Sequence, residues 1–165
     1  MVEVALSGRA LLEQAATRLA DAGLDSPRLA ARRLWADLQD DATLMALLTD
    51  DVDVAPAVAA RFAGWVERLA AGEPLAYVTG WTGFRHLRLQ CDPRALIPRP
   101  ETETLVELAL ARTSSGTAID IGTGTGAIAL SLKSEGALET VWGVDLAAPA
   151  LPLARTNGDL PAIAV

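Results

Sequence analysis

The fold class is decided by Asp120-Ile121-Gly122-Thr123-Gly124-Thr125-Gly126, a glycine-rich stretch between two apolar segments. Residues 118–121 predict a short strand before it, and residues 126–134 predict a helix after it. Glycine lets a chain turn sharply and brings backbone N–H groups close to a ligand without a Cβ in the way. The first turn of a helix adds N–H groups that lack intrahelical partners. This order of strand, turn and helix predicts a binding loop in an α/β domain.

A second strand and a second helix follow the loop. Residues 140–145 predict a strand that ends at Asp145, and residues 148–156 predict a helix. Strand, helix and strand in this order predict a βαβ unit with parallel strands and a right-handed crossover. A carboxylate at the end of the second strand can accept hydrogen bonds from both hydroxyls of a ribose. The loop and Asp145 together predict a nucleoside site.

The glycines alone leave the identity of the nucleoside open. Gly122, Gly124 and Ala127 also satisfy the G-x-G-x-x-A pattern of dinucleotide-binding proteins, so a NAD-binding oxidoreductase fragment is one alternative. Two features favour S-adenosylmethionine. An acid, Asp120, comes two residues before the first glycine, and the βαβ unit follows a helical region instead of opening the chain.

The first 73 residues predict a helical domain. Apolar residues recur there at three- and four-residue steps, between glycines and polar residues that start or stop helices. Asp25-Ser26-Pro27 predicts one helix start, and a short helix is expected at residues 43–48. The predicted stripes are Leu11, Leu12, Ala15, Leu19 and Ala22, ended by Gly23; Leu29, Arg32 or Arg33, Trp35 and Leu38; and Val58, Phe62, Trp65, Val66 and Leu69, ended by Gly72.

Residues 74–100 predict a β-hairpin linker. Leu87, Leu89 and Cys91 alternate with polar residues, which indicates a strand with one buried face, and residues 80–83 are predicted as a turn. Two prolines in Ile97-Pro98-Arg99-Pro100 predict an extended connector. The third region, residues 101–165, begins with a helix to about residue 112, capped by Glu101, Thr102 or Glu103.

Composition excludes several classes of function. The chain has 165 residues and a formal net charge of −7, which argues against broad nucleic-acid binding, and no direct nucleic-acid partner is expected. It has no apolar run of the roughly 20 residues that a membrane span needs. One cysteine, Cys91, and one histidine, His86, provide too few ligands for a metal site built from these residues. Cys91 is expected to be a packing residue and His86 a surface residue, in a cytoplasmic protein.

Several motifs match one protein family in order and spacing. Residues 120–130 look like its cofactor loop, and Leu96-Ile97-Pro98-Arg99-Pro100-Glu101-Thr102-Glu103 is the specific part, which generic methyltransferases lack. The other matches are Pro74-Leu75-Ala76-Tyr77-Val78-Thr79-Gly80, Phe84, Asp145, Ala150-Leu151, Ala154 and Asn157. Over about residues 8–158, the sequence resembles the release-factor glutamine methyltransferase family (the HemK/PrmC type).

The resemblance implies a helical domain that recognises the protein substrate, a hairpin linker and a Rossmann-like methyltransferase domain. The implied reaction is S-adenosylmethionine-dependent N5-methylation of the glutamine in the Gly-Gly-Gln motif of peptide chain release factors, by a monomer. The Pro98–Glu103 segment is implied to pack beside the cofactor. By the same resemblance, the cofactor's methionine part is held by Gly122, Thr123, Gly124, Thr125 and Gly126, its ribose by Asp145, and Asp120 lies beside the loop.

The sequence ends at Val165 without the family's Asn-Pro-Pro-Tyr motif, so no catalytic residue is assigned. In the family, that motif aims the weakly nucleophilic glutamine nitrogen at the methyl group. We therefore expect a truncated chain that binds the cofactor without completing the transfer. A non-catalytic remnant that binds release factors is the other alternative.

Two structural expectations accompany this interpretation. A sheet of two parallel strands is expected to leave apolar surface uncovered. If Ala148 caps the last helix, Pro152 is its fourth residue and deletes the first intrahelical hydrogen bond; a helix that starts later or is irregular is the alternative.

Overall fold

The computed structural model describes residues 7–38 and 53–159, and the backbone of residues 162–164. These residues belong to two compact units, residues 1–79 and residues 80–165. The helix predicted at residues 43–48 lies outside the described residues. The predicted fold class is confirmed, because helices fill the first unit and a hairpin followed by α/β structure fills the second.

The first unit contains helices α1 (Gly8–Asp21), α2 (Pro27–Leu38), α3 (Pro56–Ala70) and α4 (Leu75–Thr79). Its centre is an edge-to-face contact between Trp35 and Phe62, with ring centroids 4.8 Å apart and an interplanar angle of 81°. The predicted apolar faces of α1 and α3 are confirmed for most residues, with Leu12 and Val58 partly buried and the others buried, namely Leu11, Ala15, Leu19, Phe62, Trp65, Val66 and Leu69. The prediction is wrong for Ala22, which is the exposed C-cap of α1.

The predicted stripe of α2 is wrong at Leu29 and at its arginine position, since Arg32 and Arg33 are both exposed. The helix buries Ala31, Leu34 and Trp35, whereas the Leu29 side chain is 51% exposed. Residues 31, 34 and 35 follow the three- and four-residue spacing of one helix face. Leu29 precedes Trp35 by six residues, which places the two side chains well apart around the helix axis.

Residues 75–79 form a helix where the sequence predicted only the beginning of a hairpin linker. The Arg68 guanidinium donates to the carbonyl oxygens of Tyr77 at 3.0 Å and Val78 at 3.1 Å. The same group forms a paired contact with Glu73, with Nε 2.7 Å from Oε2. Arg68 thus satisfies carbonyls at the end of α4 that have no partner within so short a helix.

The second unit contains a two-stranded antiparallel hairpin and a three-stranded parallel sheet in the order β3-β4-β5. The parallel pairing of β3 with β4 through an intervening helix confirms the predicted βαβ unit. The elements are β1 (Trp81–Phe84), β2 (Leu87–Gln90), α5 (Thr102–Leu110), β3 (Thr117–Ile121), α6 (Ala127–Glu135), β4 (Thr140–Asp145), α7 (Ala150–Asn157) and β5 (Ala162–Ala164).

The hairpin turns later than the sequence predicted. Residues 80–83 were expected to be the turn, but Trp81–Phe84 is the first strand and Phe84 pairs with Leu87. Arg85 and His86 therefore form the turn, with Arg85 in the left-handed region at φ +51°. The side chains of β1 explain the error, because an aromatic residue and a threonine favour a strand despite the glycines beside them.

Of the two alternatives for Pro152, the later helix start is confirmed, because α7 begins at Ala150 instead of residue 148. Pro149 occupies the N-cap position, so Pro152 is only the third helical residue. The N–H groups of a helix's first turn have no intrahelical acceptor. A proline there removes no hydrogen bond.

The parallel sheet has a third strand, β5, that the sequence analysis did not predict. It leaves apolar side chains uncovered among the described residues, as expected. Ile119 is 61% exposed and Ile121 is 84% exposed, both on one face of β3. The opposite side of the sheet is covered, since α6 and the hairpin contribute Phe84, Leu89, Ala129 and Leu130 to a core with Val141 of β4.

The register of α2 can be tested by truncating two leucines. Leu34→Ala should lower the free energy of unfolding by about 2–5 kcal/mol, because it leaves a cavity in the core. Leu29→Ala should change that free energy by less than about 1 kcal/mol, because the side chain is largely in water. Urea denaturation of both variants measures the difference, and equal losses would contradict the observed register.

Candidate functional site

The glycine loop has its shape because three alternate residues take left-handed conformations. Gly122, Gly124 and Gly126 have φ angles of +82°, +55° and +84°. Side chains with a Cβ adopt this region at a cost of roughly 1–2 kcal/mol per residue. Thr123 and Thr125, between the glycines, are buried. The G-x-G-x-G spacing is therefore a conformational requirement of the turn between β3 and α6.

Asp145 lies directly beside this loop. Its Oδ2 accepts a hydrogen bond from Gly124 N at 2.8 Å, and its Oδ1 accepts one from Ala147 N at 2.8 Å. The parallel register explains the proximity, because Ile121 at the end of β3 pairs with Val144 of β4. Asp145 is the next residue of β4, so it is level with the start of the loop. The structure thus brings together the two predicted halves of the site.

Most of the loop N–H groups are already engaged within the protein. Gly122 N and Thr123 N donate to Val144 O at 2.8 and 3.0 Å, and Gly126 N donates to Thr123 O at 2.8 Å. With the Gly124 bond to Asp145, four amides have internal acceptors. The glycines were expected to bring backbone N–H groups close to a ligand, but these four groups donate to acceptors within the protein. The loop is a turn fixed by its own hydrogen bonds, and Asp145 is part of what fixes it.

Asp120 joins the end of β3 to the loop and to α6. Its Oδ2 accepts hydrogen bonds from Thr123 Oγ1 at 2.8 Å and from Ala129 N at 3.3 Å. Burial raises the pKa of Asp120 above its ordinary value, and the charge of Asp145 adds to the rise, while the two hydrogen bonds oppose it. Asp120 therefore lies behind the loop as a bracing group.

The loop is also packed tightly from behind. A Cβ built on Gly126 would lie 3.1 Å from Leu130 Cδ1 and 3.4 Å from Ala154 Cβ. A Cβ on Gly124 would lie 3.8 Å from the Cβ of Ala95, which precedes the connector. Ala95 is buried with Ala150 and Leu153 of α7. Ala95 and two helices thus support the loop on the side away from solvent.

The specific segment at residues 96–103 anchors the hairpin turn. Glu103 Oε1 accepts from Arg85 N at 2.8 Å, while Arg99 is exposed. Glu101 occupies the N-cap of α5 but makes no side-chain capping bond. Among the described contacts, the residue beside the glycine loop is Ala95, which lies just before this segment, and Glu103 contacts the hairpin.

Arg85 is a structural residue that the sequence did not reveal. Its Nε and Nη2 donate to the two carboxylate oxygens of Glu135 at 2.6 Å each, and Nη1 donates to Glu107 Oε1 at 3.3 Å. Arg85 lowers the pKa of Glu135. The partners are 22 and 50 residues away along the chain, so no local pattern could have indicated them. This cluster fixes the hairpin turn to α5 and α6.

His86 and Cys91 take no part in the glycine-loop site. His86 is exposed beside Ser134 and Glu135, with Nδ1 3.5 Å from Glu135 Oε1. Cys91 is buried, and burial, with a smaller effect from Asp92, raises the pKa of its thiol to about 11. A second residue without a predicted role does reach the loop, since Asn157 Nδ2 donates to Thr125 O at 2.9 Å.

Comparison with known proteins identifies relatives over nearly the whole chain. Residues 10–80 match the family model described as PrmC N-terminal domain. The chain is 41% identical to the release factor glutamine methyltransferase of Deinococcus radiodurans over 160 residues, which are 95% of this chain and 58% of that protein. The Aliivibrio fischeri protein of the same name is 38% identical, over 95% of this chain and 56% of the relative.

A third relative matches with similar identity and coverage. The release factor glutamine methyltransferase of Vibrio cholerae is 41% identical, over 93% of this chain and 54% of the relative. The chain thus spans somewhat more than half the length of these curated relatives. In the part of the chain that the structure describes, no helix combines the length and apolar character that crossing a membrane requires.

Two alanine substitutions separate conformational strain from crowding in the loop. Gly122→Ala places a side chain at φ +82° with no atom within 4 Å, so it should lower the free energy of unfolding by roughly 1–2 kcal/mol. Gly126→Ala adds the close approach to Leu130 and Ala154, and should lower it by about 1–3 kcal/mol more. Urea denaturation measures both, and equal losses would contradict the packing at Gly126.

The raised pKa of Asp120 predicts a pH-dependent effect of Asp120→Asn. Folding favours the protonated carboxyl, so this contribution to stability is complete below the unfolded pKa of about 3.9 and is lost as pH rises through the folded pKa. Asparagine keeps an oxygen for Thr123 and Ala129 and avoids the buried charge. The stability of Asp120→Asn relative to the unsubstituted chain should therefore increase from pH 3.5 to pH 7.

Asp92→Asn is the control for this measurement, because Arg94 lowers the pKa of Asp92. Its relative stability should decrease over the same range, as ionised Asp92 begins to stabilise the unsubstituted chain. Thermal melts at several pH values measure both trends. Parallel trends for the two variants would refute the opposite shifts.

Proposed function

Because the chain belongs to the release factor glutamine methyltransferase family, we propose that its residues serve an S-adenosylmethionine-dependent protein methylation. The proposed substrate is the glutamine of the Gly-Gly-Gln motif in peptide chain release factors, methylated on its side-chain nitrogen. The observation that carries the cofactor assignment is the position of the Asp145 carboxylate, 2.8 Å from Gly124 N in the glycine loop.

The hydrogen-bonding capacity of Asp145 fits a ribose. An ionised carboxylate has about four lone-pair sites on its two oxygens. Gly124 N and Ala147 N each use one site, on different oxygens. One site remains on each oxygen, which is what the two neighbouring hydroxyls of a ribose require. We propose that Asp145 holds the ribose in this way without releasing the loop.

The proposed place for the methionine part of the cofactor is the surface of residues Gly122–Gly126. Thr123 and Thr125 have buried side chains, so they would contribute through the backbone. The absence of Cβ atoms at the three glycines allows close approach of a ligand. Asp120 would act indirectly, since its bonds to Thr123 and Ala129 keep the loop in shape.

The chemistry explains why binding geometry matters most for this reaction. Bound S-adenosylmethionine supplies an electrophilic methyl group on a positively charged sulfur. An amide nitrogen is a weak nucleophile, so the rate depends on alignment of the two reacting atoms. We propose that this chain's loop and Asp145 hold the donor side of that alignment. None of its residues is assigned to the glutamine side.

We propose that the helical unit, residues 1–79, recognises the release factor, and that the protein acts as a monomer in the cytoplasm. The match of residues 10–80 to the PrmC N-terminal domain supports a shared role for this unit across the family. A single cysteine in the chain agrees with a reducing compartment.

Calorimetry of the whole chain with two cofactors tests the proposal. S-adenosylmethionine should bind, and Asp145→Asn should weaken that binding about tenfold or more, because it replaces one acceptor oxygen by an NH₂ group; tenfold corresponds to about 1.4 kcal/mol. Asp25→Asn, at an exposed acid of the helical unit, is the control and should bind like the unsubstituted chain. The cofactor assignment would be wrong if the chain bound NAD but not S-adenosylmethionine. It would also be wrong if Asp145→Asn bound S-adenosylmethionine as tightly as the unsubstituted chain.

A further inference from the structure

Asn157, the last residue of α7, joins the hairpin to the glycine loop through three hydrogen bonds. Its Oδ1 accepts from Gln90 N at 2.5 Å, and its Nδ2 donates to Gln90 O at 3.0 Å and to Thr125 O at 2.9 Å. An asparagine amide has two N–H donors and one carbonyl acceptor. All three functions are therefore used, by the single asparagine of the chain.

The hairpin register explains why Gln90 offers both backbone groups to Asn157. Adjacent residues of an antiparallel strand direct their N–H and C=O groups to opposite sides. Cys91 N donates to Gly80 O at 2.9 Å, on the side of β1, so the Gln90 groups point away from β1. The Asn157 amide satisfies them as a further strand would. Its orientation is fixed, because a flipped amide would direct its NH₂ group at the Gln90 N–H.

The third hydrogen bond acts on the peptide group that leads into α6. The carbonyl of Thr125 and the N–H of Gly126 lie in one rigid peptide plane. Asn157 holds the carbonyl, and Thr123 O accepts from the Gly126 N–H at 2.8 Å. The plane is thus restrained on both sides at the N-cap of α6, where Gly126 has φ +84°.

The residue after Asn157 supports the same contact. A Cβ built on Gly158 would lie 2.6 Å from Leu130 Cδ2, so the absence of a side chain lets the end of α7 approach α6 closely. Leu130 is also the residue nearest to a Cβ on Gly126. The dipeptide Asn157-Gly158 therefore reaches the back of the loop through a hydrogen bond and through packing.

We infer that Asn157 is a positioning residue for the cofactor: it couples the hairpin to the glycine loop and holds the loop in the conformation that Asp145 faces. This inference rests on the proposed function, since it concerns the same site. Asn157 binds the loop at the Thr125 carbonyl, and its three hydrogen bonds go to Gln90 and Thr125 instead of Asp145. Its effect on binding is indirect, through the Thr125–Gly126 peptide plane.

Calorimetry with S-adenosylmethionine and two variants of Asn157 tests the inference. Asn157→Ala removes all three bonds. Asn157→Asp keeps the acceptor for Gln90 N but turns a carboxylate oxygen towards two carbonyl oxygens. At a temperature where both variants are folded, each should bind S-adenosylmethionine about tenfold more weakly or worse. The affinity of Asn157→Asp should be no higher than that of Asn157→Ala.

Two control variants exclude a general loss of stability as the cause. Thr156→Ala changes the exposed neighbour, whose hydroxyl donates within α7 to Pro152 O at 2.8 Å, and should leave the affinity unchanged. Val106→Ala truncates a fully buried side chain of α5. It should lower the melting temperature as much as Asn157→Ala or more, yet bind with unchanged affinity.

Hydrogen exchange provides a readout that does not need the cofactor. The comparison is made under conditions where Asn157→Ala and Val106→Ala have the same free energy of unfolding. The Gly126 amide should then exchange about tenfold faster or more in Asn157→Ala. Equal exchange, or equal affinity of the Asn157 variants and the unsubstituted chain, would overturn the inference. If the unsubstituted chain itself binds no S-adenosylmethionine, the proposed function is wrong, and the cofactor role of Asn157 is wrong with it. The titration of the unsubstituted chain therefore distinguishes this outcome from a failure of the Asn157 inference alone.

Discussion

The hydrogen bond from Gly124 N to Asp145 Oδ2, 2.8 Å long, is the contact on which the site depends. It exists because two requirements are met together. The parallel register of β3 and β4 brings Asp145 level with the start of the loop, and left-handed glycines turn the chain back towards it. Without the register, the Gly124 N–H would lack the Asp145 carboxylate as its acceptor. Without the left-handed glycines, the Asp145 carboxylate would lack the Gly124 N–H as its donor. Together they create an acidic group held at a fixed distance from a side-chain-free surface.

The remaining contacts of the second unit keep that turn in place. Asp120 braces it from β3, Leu130 and Ala154 pack behind Gly126, and Asn157 holds the Thr125 carbonyl. The hairpin enters this arrangement twice, since Arg85 fixes its turn to Glu135 and Gln90 binds Asn157. The family-specific segment contributes Glu103 to the same hairpin turn. Much of the sequence surrounding the loop thus acts by positioning it.

Local sequence predicted the features that depend on local physics. The βαβ unit, the glycine turn and the proximity of Asp145 follow from periodicity, glycine conformation and the rule that parallel strands end at the same edge. The error at Leu29 is local, because it concerns which face of one helix is buried, whereas others concern partners elsewhere in the chain. Helix α4 requires Arg68 and the hairpin turn is held by Glu103, while Asn157 contacts a strand 67 residues away. The engagement of the Gly122 and Thr123 amides could not be foreseen either, because their acceptor, Val144 O, belongs to the next strand.

The most direct test of the account is an NMR titration of the isotope-labelled chain with S-adenosylmethionine, following backbone amide resonances. The account predicts saturable shifts concentrated at residues 122–126 and 145–147, with the helical unit unaffected. Shifts confined to the helical unit, or an unchanged Gly124 resonance at saturating ligand, would contradict the claim that the Asp145-bound loop holds the methyl donor.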